Sequence, residues 1–86
     1  MTITKERLEI LQKIGKAHHW DKILEVGILK DEPVYQFCYS KTPKGAKLGY
    51  PHLYSFHSNK VYELSREQFY ILLSQPLFRN GGKRIY

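Results

Sequence analysis

The feature that most constrains the fold is a pair of strand-like runs separated by only three residues. Residues 22–30 (KILEVGILK) and 34–40 (VYQFCYS) are rich in β-branched, aliphatic and aromatic side chains, which favour strands. Asp31, Glu32 and Pro33 are the short connection between them. A connection of this length joins antiparallel neighbours, so the two runs predict a β-hairpin.

A second hairpin is expected later in the chain. Residues 52–57 and 60–64 again carry strand-like residues on either side of a short turn at Ser58 and Asn59. Residues 41–51 (KTPKGAKLGYP) separate the two hairpins, and their two Pro and two Gly predict a loop. The four runs together predict an antiparallel meander.

Two amphipathic segments flank the strand-like runs and are predicted to be helices. Thr4 is suited to the N-cap of the first, whose apolar residues recur at helical spacing. In the second, Ser65 and Gln68 match a capping box, and Pro76 ends the helix. Local chemistry therefore predicts where both helices begin.

The predicted fold class is α+β, with an N-terminal helix, a four-stranded antiparallel meander and a C-terminal helix. Tyr35 and Phe37 point to one side of their strand and Gln36 to the other, so we expect both helices on one face of the sheet, over the aromatic side. Residues 1–78 are predicted to form a single compact α+β domain. Residues 79–86, which hold a Gly pair and three cations, are expected to be a basic, flexible C-terminal tail.

The composition predicts an ordered, soluble, intracellular protein. Of the 86 residues, 42% are hydrophobic and 26% are charged, as in globular domains. Cys38 is the single cysteine and has no internal disulfide partner, whereas secreted domains of this size usually carry several cysteines. No run is apolar enough for a signal peptide or a membrane span, so we expect a cytoplasmic protein.

Positive charge is distributed unevenly along the chain, whose net charge is +6. Residues 1–32 hold six basic and six acidic side chains, whereas residues 33–62 hold four Lys and no Asp or Glu. Such asymmetry favours an anionic partner, which could be nucleic acid, an acidic or nucleic-acid-bound protein complex, or a phosphorylated ligand. The alternative is a charged surface that serves only solubility.

The loop at 41–51 and the basic tail supply the candidate contacts to nucleic acid. Their lysine and arginine side chains would neutralise phosphates, and a tyrosine in the loop would stack on a base. Lysine contacts to phosphate carry no sequence information, so weakly specific binding is expected. The candidate contact residues are Lys41, Lys44, Lys47, Tyr50, Lys60, Arg79, Lys83 and Arg84.

No catalytic, metal-binding or cofactor motif accompanies these residues, so the sequence predicts a small non-enzymatic module that binds nucleic acid or a nucleic-acid-handling complex. One alternative is a phage or mobile-element type inhibitor or adaptor that binds a host protein, and a homodimer through the uncovered sheet face is a further option. A third is a small ribonuclease-like toxin that uses His52 and His57. These histidines are five residues apart on one predicted strand and point to opposite faces, which disfavours an acid–base pair.

Overall fold

The computed structural model describes residues 3–41 and 51–86, with residues 79–81 described by their backbone alone. The α+β class with an antiparallel sheet is confirmed, and the sheet has five strands where four were expected. Neither helix of the described chain is long and apolar enough to cross a membrane. In chain order the elements are α1 (Lys5–Ala17), β1 (Lys22–Leu29), β2 (Glu32–Cys38), β3 (His52–Ser55), β4 (Lys60–Glu63), α2 (Arg66–Leu73) and β5 (Phe78–Arg84).

The strands lie in the order β4-β3-β2-β1-β5, and β1 to β4 form the expected meander. β5 adds to the free edge of β1 as an antiparallel neighbour, with Arg84 opposite Leu24. Beyond this pair, the N–H of Ile85 donates to the carbonyl oxygen of Ile23 at 2.9 Å. The segment 79–86, expected to be a basic, flexible tail, thus contains most of β5, and β1 offers it backbone hydrogen-bond partners that a free tail would lack.

α1 packs on the aromatic face of the sheet. Its start is fixed by Thr4, whose Oγ1 accepts a hydrogen bond from the backbone N–H of Arg7 at 3.2 Å. Leu11 is fully buried in one cluster with Tyr35 and Phe37. These rings remove large apolar areas from water, so the cluster forms a principal part of the core. The expected cover of the aromatic side is confirmed for α1.

α2 packs on the opposite face, where Leu72 lies in one cluster with Val34 and Leu53. Val34 precedes Tyr35 in β2, and neighbouring residues of a strand point to opposite faces. The prediction that both helices share one face is therefore wrong. Both faces carry enough apolar side chains to need a cover, and the protein has three layers: helix, sheet and helix.

α2 connects the strands at the two edges of the sheet. It begins at the predicted capping box, in which the Ser65 Oγ accepts from the backbone N–H of Gln68 at 3.1 Å. The side-chain oxygen of Gln68 in turn accepts from the backbone N–H of Ser65 at 2.9 Å. β4 precedes the helix and β5 follows it, and three strands lie between these two edge strands. The connection from β4 to β5, which contains α2, therefore crosses the whole width of the sheet.

Candidate nucleic-acid interface

The end of the sheet at which β1 begins collects basic and aromatic residues from several elements. Because β1 is antiparallel to β2 and β5, its first residues lie beside the last residues of those strands, as the register pair of Lys22 with Cys38 shows for β2. α1 also ends here, because the backbone N–H of Trp20 donates to the carbonyl oxygen of Gly15 at 2.8 Å. We call this surface the basic end, and its residues are Lys16, His18, His19, Trp20, Lys22, Lys41, His52 and Arg84.

An acidic side chain at the basic end, Asp21, is held by Ser40. The backbone N–H of Ser40 donates to Asp21 Oδ1 at 2.6 Å, and the Ser40 hydroxyl donates to Oδ2. The hydroxyl and then the N–H lower the pKa of Asp21, and the positive charge of Arg84 adds to the shift. This contact ties the end of β2 to the start of β1 and fixes the point from which Lys41 leaves the sheet.

Four permanent cations of the basic end have no ion-pair partner among the residues that the structure describes. One of the described ion pairs, Arg7 with Glu32, lies at the other end of the sheet. Four cations outnumber the two described side-chain carboxylates at this end, Asp21 and Glu63, so the end keeps a positive potential that attracts anions. The four cations are Lys16, Lys22, Lys41 and Arg84.

Trp20 is the centre of an aromatic stack at the same end. Its ring centroid lies 4.5 Å from that of His18 and 4.6 Å from that of His52. On the side of the core, the Trp20 centroid lies 5.2 Å from that of Phe37. Trp20 is half-buried and His18 is exposed, so the stack extends from the sheet core to a solvent-facing imidazole.

The structure does not bring His52 and His57 together. His52 begins β3, and its Nε2 lies 3.5 Å from Glu63 Oε2. His57 lies beyond the other end of β3, in the turn before β4, where it is exposed. Within the described chain, no three His, Cys, Asp or Glu side chains are placed to hold a metal ion. These two histidines therefore cannot act on the same atom.

The predicted contact residues are only partly brought together. Lys41 and Arg84 both belong to the basic end. Lys83 precedes Arg84 in β5 and is exposed opposite Glu25, so it lies on the sheet face that α1 covers, whereas Arg84, opposite Leu24, lies on the face of α2. The remaining predicted contacts except Lys60 lie outside the described residues, namely Lys44, Lys47, Tyr50 and the side chain of Arg79.

Lys60 lies at the opposite corner of the sheet. It begins β4 and pairs with Ser55, the last residue of β3. Its ammonium nitrogen lies 5.5 Å from the centroid of the Tyr62 ring, which is a cation–π contact. The four strand spacings between β4 and β5 amount to about 19 Å. Lys60 is therefore separate from the basic end.

Several residues of the basic end were missed from the sequence, among them Lys16, Lys22, His18 and Trp20. They belong to residues 1–32, whose charges balance, so the charge of that segment gave no indication of them. The predicted hairpin could have indicated Lys22 as a member of this surface. Antiparallel pairing places the start of one strand beside the end of the next, and so places Lys22 near the end of β2, after which Lys41 follows.

No known protein family, no curated protein and no solved structure matches this chain. The function of the basic end therefore has to be inferred from its residue types. That chemistry combines permanent cations, which attract anions, with an exposed aromatic ring, which offers a flat apolar face.

Proposed function

We propose that this protein is a small non-enzymatic module that binds nucleic acid, or a nucleic-acid-handling complex, through its basic end. The observation that carries the proposal is the set of four cations without ion-pair partners in the described chain, at the same end of the sheet as the exposed ring of His18. Such a cluster attracts phosphates, and an exposed ring can stack on a base.

The residue types of the basic end determine what kind of recognition to expect. Lys and Arg side chains hold phosphates through charge and carry no sequence information. The ring of His18 can stack on any base, because every base has a π face. We therefore expect weakly sequence-specific binding that favours accessible, single-stranded bases. Five further residues remain predicted contacts to nucleic acid, namely Lys44, Lys47, Tyr50, Arg79 and Lys83.

The dependence of binding on salt tests this proposal. Binding of labelled single-stranded and double-stranded DNA and RNA would be measured by fluorescence anisotropy over a series of salt concentrations. With four phosphate contacts, the slope of log K against log salt concentration is expected to be about −3. Lack of binding to DNA and to RNA at low salt would contradict the proposal.

Matched variants locate the contacts. Lys22→Gln and Arg84→Gln remove charge from the basic end, and each should reduce the salt slope by about 0.7 to 0.9. Lys60→Gln removes the same charge from the opposite corner and should leave the slope unchanged. Equal effects of all three variants would show that binding follows net charge and not the basic end.

A further inference from the structure

α2 is packed less deeply than its apolar sequence would lead one to expect. None of its eight residues is fully buried, although five of them are apolar or aromatic (FYILL). Large apolar side chains also surround it at the end of β1 and before β5. We call the exposed members of this group the apolar patch: Ile28 (40% exposed), Leu29 (47%), Tyr70 (66%), Ile71 (64%) and Leu77 (64%).

Four of the five members of the apolar patch line one groove, and the fifth, Tyr70, is the sequence neighbour of Ile71. A groove of about 520 Å³ runs between α2 and the end of β1, and Leu29, Ile71 and Leu77 line it. A second groove of about 410 Å³ lies between α2 and the sheet and shares Leu29 and Leu72 with the first, and Lys30 is the one charged residue among its described lining residues. Large contiguous apolar surfaces are uncommon on monomers and often mark interaction sites.

The charge of the residues around the apolar patch indicates what kind of partner can bind to it. All the described residues that line the groove of about 520 Å³ are uncharged, although 26% of the chain is charged. The basic end lies away from this groove, because β1 runs from Lys22 to Leu29, a length of about 23 Å. Two copies can therefore meet at this surface while their cation clusters stay apart.

We propose that the apolar patch is the interface of a symmetric homodimer, in which α2 of one copy packs against α2 of a second. A twofold axis places each residue near its own counterpart, so like charges would face each other in a charged patch. An uncharged apolar patch avoids this repulsion and is complementary to itself. The interface differs from the sequence-based expectation, because it uses the outer side of α2 and not an uncovered sheet face.

The dimer would have a functional consequence that rests on the proposed function of the basic end. Joined at the apolar patch, the two copies would present their basic ends at separate sites of one particle. Two linked sites bind one long nucleic acid more tightly than either site alone.

Sedimentation equilibrium of the full chain over a range of concentrations tests the dimer. The wild-type protein is expected to change from monomer to dimer mass as its concentration rises. Ile71→Glu and Leu77→Glu should each weaken dimerisation by about a hundredfold or more, because the twofold axis buries two unpaired carboxylates. Both side chains are mainly exposed, so the variants should keep the wild-type circular dichroism spectrum.

Ile10→Glu is the matched control. Ile10 is an exposed isoleucine (45% exposed) on the other helix, and its replacement should leave the dimer intact. A wild-type protein that stays monomeric at all concentrations overturns the proposal, and so does a dimer that survives both Ile71→Glu and Leu77→Glu. Lys22→Gln should reduce nucleic-acid binding without affecting dimerisation, so failure of the dimer and failure of the proposed function are distinguishable.

Discussion

Gly27 lies directly against the ring of Phe78. A Cβ atom at position 27 would come within 2.3 Å of Phe78 Cδ1 and within 2.7 Å of the carbonyl oxygen of Leu77. The two residues are also a register pair between β1 and β5. Because Phe78 is buried at this point, the contact fixes β5 to the sheet at the end where α2 arrives.

We expect Gly27→Ala to lower the free energy of unfolding by about 1 to 3 kcal/mol, because the ring and the backbone must move to admit the methyl group. Phe78→Ala alone should cost about 3 to 5 kcal/mol, as for other buried aromatic residues. In the double variant the methyl group occupies space that the ring has left, so the two losses should not add. Urea denaturation monitored by Trp20 fluorescence measures all three values. Additive losses would contradict the close contact.

Asp21 should make stability depend on pH in the acidic range. Its pKa is lowered in the folded state by the hydroxyl and the N–H of Ser40 and by the charge of Arg84. The stabilisation is therefore fully present above the pKa of the unfolded chain, about 3.9, and is lost as the pH falls through the folded pKa. Asp21→Asn should be less stable than the wild type near neutral pH, and the difference should shrink towards low pH.

Asp31→Asn is the control for this pH profile. Asp31 is exposed in the turn between β1 and β2 and makes no ion pair or side-chain hydrogen bond within the described part of the chain. Its replacement should leave the dependence of unfolding free energy on pH close to that of the wild type. If both variants change the free energy of unfolding equally at acidic pH, the Asp21–Ser40 contact does not cause the pH dependence.

Ser65→Ala should destabilise the protein by about 1 kcal/mol, because the N–H of Gln68 loses its acceptor at the start of α2. Gln68→Ala removes the reciprocal hydrogen bond to the Ser65 N–H. The two halves of a capping box act together, so the double variant should lose less than the sum of the single losses. Thermal or urea unfolding of the three variants gives the coupling free energy between Ser65 and Gln68. A coupling free energy of zero would mean that the two hydrogen bonds of the capping box act independently.

The variant His18→Ala tests whether His18 contributes to nucleic-acid binding without contributing to the stability of the fold. The imidazole is the exposed member of the Trp20 stack, so its loss should change the free energy of unfolding by no more than about 0.5 kcal/mol. If a base stacks on this ring, binding to single-stranded nucleic acid should weaken by about 1 to 3 kcal/mol. His57→Ala, at the other end of β3, should affect neither quantity. Unchanged binding by His18→Ala would exclude stacking on His18.

The helix starts could be predicted from the sequence because their causes are local. Thr4 and Ser65 each accept a hydrogen bond from an N–H three residues later, and that spacing is visible in the chain. The first hairpin could be predicted equally well, because a connection this short can join only antiparallel neighbouring strands.

The arrangement of the layers depended on information that is not local. Val34 and Tyr35 are both buried, on opposite faces, so strand periodicity alone could not assign α2 to one of them. The Gly pair near residue 81 resembled a flexible tail, whereas the free edge of β1 orders that segment as a strand. The basic end is likewise a product of pairing between distant strands.

The crossing of the sheet by the connection that contains α2 has a kinetic consequence. β1 to β4 pair with neighbours in the sequence, whereas β5 reaches β1 only after this connection has passed the other strands. Closing long loops is slow because their entropy is lost before the contacts form. We therefore expect the meander to gain protection from hydrogen exchange before β5 docks, so that the final step of folding is governed by the formation and docking of α2.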